Sequence, residues 1–449
     1  MVSKIGNEYE FLLLDKEGYV ANQADRILND PRNLRLAEPI VPEISLAQVE
    51  INSKPVETIA ELHHDLLPRL ALLEDICQDH GLLATPISEL GAGRGERRNG
   101  KARYELYTDI LSARGNDLLH RITGIHAHLD QEPDRILDQL RLIVALDPLS
   151  AAVTANSPIT PGYLATPESP LREGGFNSAN NWRIVNMRTF MFAEYPLHAQ
   201  LLGYPSSLQE IGQQNQQRWE EWLDVARKKG KEDEYRAGFQ PDNTGFLPYR
   251  LRPFGPKGTI EIRAFGSVPL DIDLATLAFL KGSNDRMIER NIPVRISEVD
   301  GEYSFTDKEI VLPPFRTVQR FAKLQANYGL EKKPSPQLAE YLSQVLTFAE
   351  EGLPQEDRPY QQPLWEMAAT GKNHSSLILE YLHQQRKERQ FEGPIYAEGR
   401  IPQITASNIH RFSEPEVAQA QLFARKLYVD SLSLPIGGRQ PYEPLQLAS

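Results

Sequence analysis

The sequence predicts an α+β fold: an antiparallel sheet with one apolar face, helices segregated from it, and a helical extension at the C-terminal end. Three observations predict it. Four short runs before residue 270 alternate apolar and ionisable residues with period two. Longer runs between them carry apolar residues at helical spacing. From Pro313 onwards the texture changes to helix-like stretches separated by Pro-rich breaks such as EEGLPQEDRPYQQP. A boundary is expected near 293–315, dividing a mixed strand-and-helix unit of residues 1–312 from a mainly helical region of residues 313–449.

The alternation is specific. In GNEYEFLLL, Tyr9, Phe11 and Leu13 face one way, and Glu8 and Glu10 the other. In QVEIN, Val49 and Ile51 oppose Gln48, Glu50 and Asn52. In GIHAHLD, Ile125, Ala127 and Leu129 oppose His126, His128 and Asp130. In GTIEIRAF, Ile260, Ile262 and Ala264 oppose Glu261 and Arg263. Each run therefore sets an apolar face against a core and ionisable groups on the opposite face. One such strand alone reads as a solvated sheet face. Solvated faces are usually rich in Thr, Lys and Ser, whereas these four carry Glu–x–Glu, Glu, His–x–His and Glu–x–Arg. If the strands adjoin, their polar faces form one acidic pocket. Carboxylates so crowded repel and raise one another's pKa values, and a divalent cation removes that repulsion.

Helical spacing marks residues 57–80 (Ile59, Leu62, Leu66, Leu70, Leu73, Ile76, with Pro68 as an expected kink) and 134–152 (Ile136, Leu140, Ile143, Val144, Leu146). It also marks 206–229, where Trp219 and Trp222 read as core, and 271–291.

The chain has 449 residues, 40% hydrophobic and 24% charged, enough to bury a large core in two or three units or in one large fold with additions. Its formal charge of −12 argues against a nucleic-acid or membrane-binding surface, which needs clustered Lys and Arg. Cys77 is the only cysteine, so an intrachain disulfide framework and a cysteine-rich zinc site are excluded. Its run, LPRLALLEDICQDHG, reads as a helix with a core thiol. No signal-peptide or bilayer-length apolar run is present, and a cytoplasmic location is expected.

Magnesium takes oxygen ligands and commonly bridges carboxylates to substrate phosphates. Glu8, Glu10, Glu43, Glu50 and Glu261 can supply those oxygens. Manganese accepts an imidazole more readily, and zinc is the rival reading of the HAH pair, although the carboxylates outnumber one tetrahedral site. Phosphoryl transfer also needs guanidinium groups to hold spreading negative charge. Arg250, Arg252 and Arg263, in YRLRPFGPKGTIEIR, are candidates for phosphate binding. Arg183 and Arg188, in NNWRIVNMR, are candidates for clamping a substrate carboxylate. GAGRGER at 91–97 lacks the Lys-Ser/Thr of a phosphate loop and reads as a mobile loop over the site. TANSPITPG at 154–162 reads as a pocket wall, with Asn156 and Ser157 as substrate contacts.

With these residues in view, the chain resembles the glutamate–cysteine ligase family of the second type, which includes the carboxylate–amine ligases. The resembling pieces are GNEYEF, VPEISLAQVEIN at 41–52, GIHAHLD at 124–130, ALDPLSAAVTANSPITPG at 145–162 and GTIEIR at 258–263, in the family's order. The resemblance implies the glutamine synthetase superfamily fold, a curved antiparallel sheet forming a funnel. It implies Glu8, Glu10, Glu50, His126 and Glu261 as metal ligands, Glu43 as a ligand or substrate contact, and His128 and Arg263 near the phosphates. The implied cofactor is Mg2+ or Mn2+, with ATP as co-substrate. The implied reaction makes an acyl phosphate, from the glutamate γ-carboxylate in the leading case. An amine, cysteine in that case, then displaces phosphate. Two features depart from the family: RAFGSVPLD lacks the acidic or cysteine residue often found after Glu–x–Arg, and the C-terminal part is long. That part is expected to pack on the funnel or mediate a homodimer. The competing readings are the same chemistry with another amine or amino acid, a non-catalytic relative, and a metal-dependent hydrolase.

Overall fold

Period-two alternation resolves into strands. The computed structural model describes residues 3–432 apart from 90, 99–101, 164–171, 179, 193, 254, 256, 332–335 and 386–412. Up to residue 270 the strands are β1 (Ile5–Leu14), β2 (Val41–Pro42), β3 (Gln48–Asn52), β4 (Leu83–Thr85), β5 (Gly124–Asp130), β6 (Ile159–Tyr163), β7 (Arg172–Ser178), β8 (Tyr249–Arg252) and β9 (Thr259–Gly266). Seven form one antiparallel sheet in the order β2-β3-β1-β5-β9-β8, with β4 on the far half of β1, while β6 and β7 pair separately. The four runs identified by alternation are thus consecutive neighbours: β3, β1, β5 and β9.

Register decides which side chains meet, because residues directly opposite one another share a face. Glu8 stands opposite His126, Glu10 opposite Glu50, and Glu261 lies between His128 on one side and Arg250 on the other. The other face is dry. Tyr9, Phe11, Val49, Ile51, Ile125, Leu129, Ile260 and Ile262 are all buried in one core with the helices Ile59–His80, Ile136–Val153 and Leu270–Glu289.

The alternation breaks once. Between Ile125 and Ala127 the register on β9 slips by one residue, so that Ile125 faces Phe265 while Ala127 faces Ile262. A bulge of this kind inserts one unpaired residue and reverses the side-chain parity beyond it. Phe265, not Ala264, therefore continues the core row, while Arg263 shares the polar face with Glu261 by simple alternation.

The helices fall within two residues of their expected bounds: Ile59–His80, Ile136–Val153, Leu208–Lys228 and Leu270–Glu289. The first begins where Thr58 and Glu61 cap each other reciprocally, and ends at Gly81 with φ +68°, a left-handed turn that glycine adopts without strain. Its first amides, Ile59 and Ala60, also donate to the Asp357 carboxylate at 2.8 and 3.0 Å. Beyond residue 312 the described elements are mostly helical, including Phe315–Tyr328, Pro336–Glu350 and Glu414–Leu432. Tyr341, Leu342, Val345, Tyr360 and Tyr428 join the same core as the sheet, so apolar burial is continuous across residue 313. Cys77 is buried in that core, where burial pushes its thiol well up.

The Gly-rich segment 91–97 departs from expectation. It does not hang over the site as a free loop. Gln421, on the C-terminal helix, accepts from the amides of Gly91 (2.9 Å) and Ala92 (2.7 Å) and donates to the Gly18 carbonyl (2.7 Å). Farther along, the Leu46 amide donates to Glu96 at 2.7 Å and the Arg98 amide to Ile44 at 2.8 Å, beside Glu43. The segment's glycines permit this close packing: a Cβ on Gly91 would lie 2.2 Å from a Val417 methyl. Gln421→Ala strands three buried backbone groups, and we expect it to lower unfolding free energy by about 2 kcal/mol, measured by urea titration.

A second prediction concerns pH. Asp273 is fully buried and accepts one bond, from Asn7 Nδ2 at 2.6 Å. Burial pushes its carboxyl from 3.8 up to about 8. The unfolded chain ionises first, so this group's contribution to stability is complete below about pH 4 and lost as pH rises towards 8. Asp273→Asn removes that titration. Its unfolding free energy should fall less steeply than the parent's between those limits.

Candidate active site

The polar face of the sheet opens into a cavity of about 360 Å3. Glu8 and Glu10 of β1, Glu50 of β3, His126 of β5 and Glu261 of β9 line it, with Glu43 from the turn after β2. Arg250 and Arg252 of β8, Arg263 of β9 and Arg103 contribute guanidinium groups. The opposing wall is apolar, with Tyr104, Tyr107, Met187, Met191 and Phe246. Tyr107 and Phe246 belong to an aromatic cluster built on the buried Trp222, which confirms Trp222 as core and joins the cavity wall to it.

Two groups of three donors lie on the acidic side. Glu8, Glu50 and His126 each place one ligand atom within 4.8 Å of the others, and so do Glu10, Glu43 and Glu50. Glu50 belongs to both. The second group is all carboxylates. Burial and the neighbouring Glu43 charge push Glu10 up to about 8, although the Gly124 amide donates to it at 2.6 Å. Burial and the charges of Glu43 and Glu8 push Glu50 well above the usual range, and burial raises Glu43 too. A set of mutually raised carboxyls fits a divalent cation, which replaces the missing positive charge.

Glu8 behaves differently. Burial opposes its ionisation, but hydrogen bonds from His126 and His128 hold its carboxyl far below the usual range. His126 Nδ1 lies 2.6 Å from Glu8 Oε2 and His128 Nε2 lies 3.1 Å from Glu8 Oε1. Burial and the Arg263 charge push His126 down to about 4. A neutral His126 that donates through Nδ1 presents Nε2 as a lone pair, 3.7 Å from Glu10 Oε1 and suited to a cation. Glu261 sits outside both donor groups. Burial would raise its pKa, but Arg263 and Arg250 hold it far below the usual range. It bonds Arg263, and its other oxygen lies 3.2 Å from Arg252 Nε. The structure therefore sets Glu261 among the guanidinium groups of Arg250, Arg252 and Arg263.

The remaining sequence candidates are placed as follows. His128 stands behind Glu8, with Nδ1 3.1 Å from Thr259 Oγ1. Arg188 is not among the cavity-lining residues: both oxygens of Asp147 take its Nη2 at 2.7 and 2.8 Å. Asn156 is buried, and its amide donates to the carbonyls of Pro86 (2.6 Å) and Ser267 (3.1 Å), away from the cavity. Arg183 does line the cavity, but its guanidinium donates to the carbonyls of Thr123 (2.7 Å), Ala264 (3.3 Å) and Arg263 (3.3 Å). Two of these carbonyls belong to the bulged stretch of β9 and the third to the residue before β5. The clamp expected of Arg183 and Arg188 is thus met by internal partners that spacing along the chain could not reveal. Arg103, Tyr104 and Tyr107, on the helix Ala102–Ile110, went unseen. Their one signal was the pair of tyrosines three apart, Tyr104 and Tyr107, the second also four residues after Arg103, in ARYELY.

Comparison with known proteins agrees with this architecture. A family model described as Glutamate-cysteine ligase family 2 matches residues 4–297. Two curated relatives carry the provisional name glutamate–cysteine ligase 2. One, from Gloeobacter violaceus, is 27% identical over 128 residues, covering 27% of this chain and 33% of that protein. The other, from Thermobifida fusca, is 21% identical over 295 residues, 64% of this chain and 65% of that protein. The match thus spans a third of the first relative's length and just under two thirds of the second's. Among solved structures, a glutamate–cysteine ligase from Francisella tularensis in complex with AMP superposes with a TM-score of 0.56 at 12% identity, over 98% of this chain and 96% of that one. That likeness establishes the glutamine-synthetase-like α+β fold. With its family-matched segment carrying the whole acidic face from Glu8 to Glu261, the chain belongs to glutamate-cysteine ligase family 2.

Proposed function

We propose that the protein is an ATP-dependent ligase, with residues 1–312 as its catalytic unit, that joins the γ-carboxylate of glutamate to the amine of cysteine through an acyl phosphate. One observation carries the reading: two cation-holding groups that share Glu50 face three arginines, Arg250, Arg252 and Arg263, across a single cavity. The family and fold support it.

Glu8, Glu50 and His126 would hold one Mg2+ or Mn2+, and Glu10, Glu43 and Glu50 a second. When bound, such ions neutralise phosphate oxygens and polarise the transferred group. The chain's own residues do the rest. Arg263, aimed by Glu261, and Arg250 and Arg252 beside it bind the triphosphate oxygens on which charge develops. His128 holds Glu8 ionised and in place. A glutamate carboxylate oxygen attacks the γ-phosphorus of ATP, and the bond to the ADP oxygen breaks. The amine nitrogen then attacks the acyl carbon, phosphate leaves with the bonding pair, and the nitrogen gives up its proton as the amide forms. The apolar wall of Tyr104, Tyr107 and Phe246 keeps water from the acyl phosphate.

Purified protein with ATP and Mg2+ should release ADP only when a carboxylate and an amine are both present, fastest with glutamate and cysteine, and EDTA should stop it. Release with glutamate and a different amine would keep the chemistry and change the acceptor. ATP consumption that ignores both substrates, or hydrolysis of candidate amides without ATP, would overturn the proposal.

A further inference from the structure

A second, smaller pocket lies on the other side of Arg250, between the Leu208–Lys228 helix and β8. Arg218 on that helix is 2% exposed. A guanidinium buried to this degree is costly unless a negative charge and hydrogen-bond acceptors replace water. Arg218 has neither in full. Among the described residues no carboxylate forms an ion pair with it. Its Nη2 donates to the Asn215 side chain, but Nε and Nη1 have no partner. Arg250, which lines both pockets, likewise has a buried Nε without a partner. Burial pushes Arg218 down to about 10; the Glu221 charge opposes that shift without offsetting it and forms no ion pair with the guanidinium.

The pocket is polar where these groups reach it. Gln200, Gln214 and Asn215 line it beside Arg218, Tyr249 and Arg250, and one carboxylate, Asp242, stands at the exposed side. About 20 Å3 of space is open within it. That is room for one occupant little larger than a water, which needs about 10–15 Å3 by the same measure. A phosphate or an amino acid is too large. A neutral water would satisfy N–H groups but leave the charge of Arg218 opposed only by Glu221, which does not pair with it.

We propose that this pocket is a binding site for a small monovalent anion, chloride or a compact carboxylate such as formate, held by Arg218 behind the active-site wall. It is separate from the cation-holding groups and does not depend on the ligase reading.

The test needs no turnover. Thermal melts of the intact protein should be recorded in sodium chloride, sodium formate and sodium gluconate at equal ionic strength. A saturable rise of about 2 °C or more in chloride or formate over gluconate is expected. The relative size of the two responses identifies the preferred anion. Arg218→Gln should abolish the difference. Identical melts in all three salts, or the same anion response in Arg218→Gln, would overturn the site. Should that variant fail to fold, crystals of the parent protein soaked in sodium bromide decide the matter. Anomalous density within hydrogen-bond reach of Arg218 supports the site, and its absence there refutes it.

Discussion

Glu50→Gln should reduce ADP formation by about a thousand-fold while leaving the protein as stable as the parent, or more so. Glu50 is the one carboxylate common to both donor groups, so its loss would weaken both proposed cation sites together. The same change relieves strain. Glu50 is held well above its usual pKa by burial and by Glu43, Glu8 and Glu10, and a neutral amide of the same shape ends that repulsion. Few alternatives predict opposite signs for activity and stability. If Glu50 were a structural group, the variant would melt earlier. If the cations bound elsewhere, it would stay active. A steady-state ADP assay and a thermal melt on one preparation separate these outcomes.

Arg183→Met should lower both quantities: unfolding free energy by about 3 kcal/mol and ADP formation by a hundred-fold or more. Three carbonyls, those of Thr123, Arg263 and Ala264, depend on one guanidinium. Gly124 approaches it so closely that a Cβ there would lie 2.5 Å from Nη2. The Gly124 amide in turn holds Glu10. Releasing the bulge therefore moves Arg263 on one side and Glu10 on the other, and small displacements of reacting groups carry large kinetic costs. Lysine should rescue little, since one ammonium cannot match a planar fork serving three acceptors. A substrate-clamping role would show otherwise: Arg183→Met would keep its melting temperature and raise the KM for the carboxylate substrate alone.

The strands were legible because period two is a local property. In β1, β3, β5 and β9 each side chain's face follows from the residue's place in its own run, and the ionisable types were unusual enough to point to cations. Helix bounds were legible for the same reason, since caps such as Thr58–Glu61 and Gly81 are written within a few residues of the ends they set. Spacing could not report where an arginine's partner lies. Arg188 meets Asp147, 41 positions away, and Arg183 meets carbonyls 60 to 81 positions away. Nor could it show the bulge, because one extra residue in β9 acquires meaning only against its neighbour β5.

What the chain determined by itself, then, was which residues are apolar on one side and chemically able on the other, for these depend on local periodicity and residue type alone. The tertiary structure decided which of them meet. Strand order and register brought Glu8 to His126 and Glu10 to Glu50, the bulge put Phe265 in the core row in place of Ala264, and the C-terminal helix pinned the Gly-rich segment. Those are long-range pairings, settled by burial and hydrogen-bond satisfaction over the whole core, and no local window of sequence contains them.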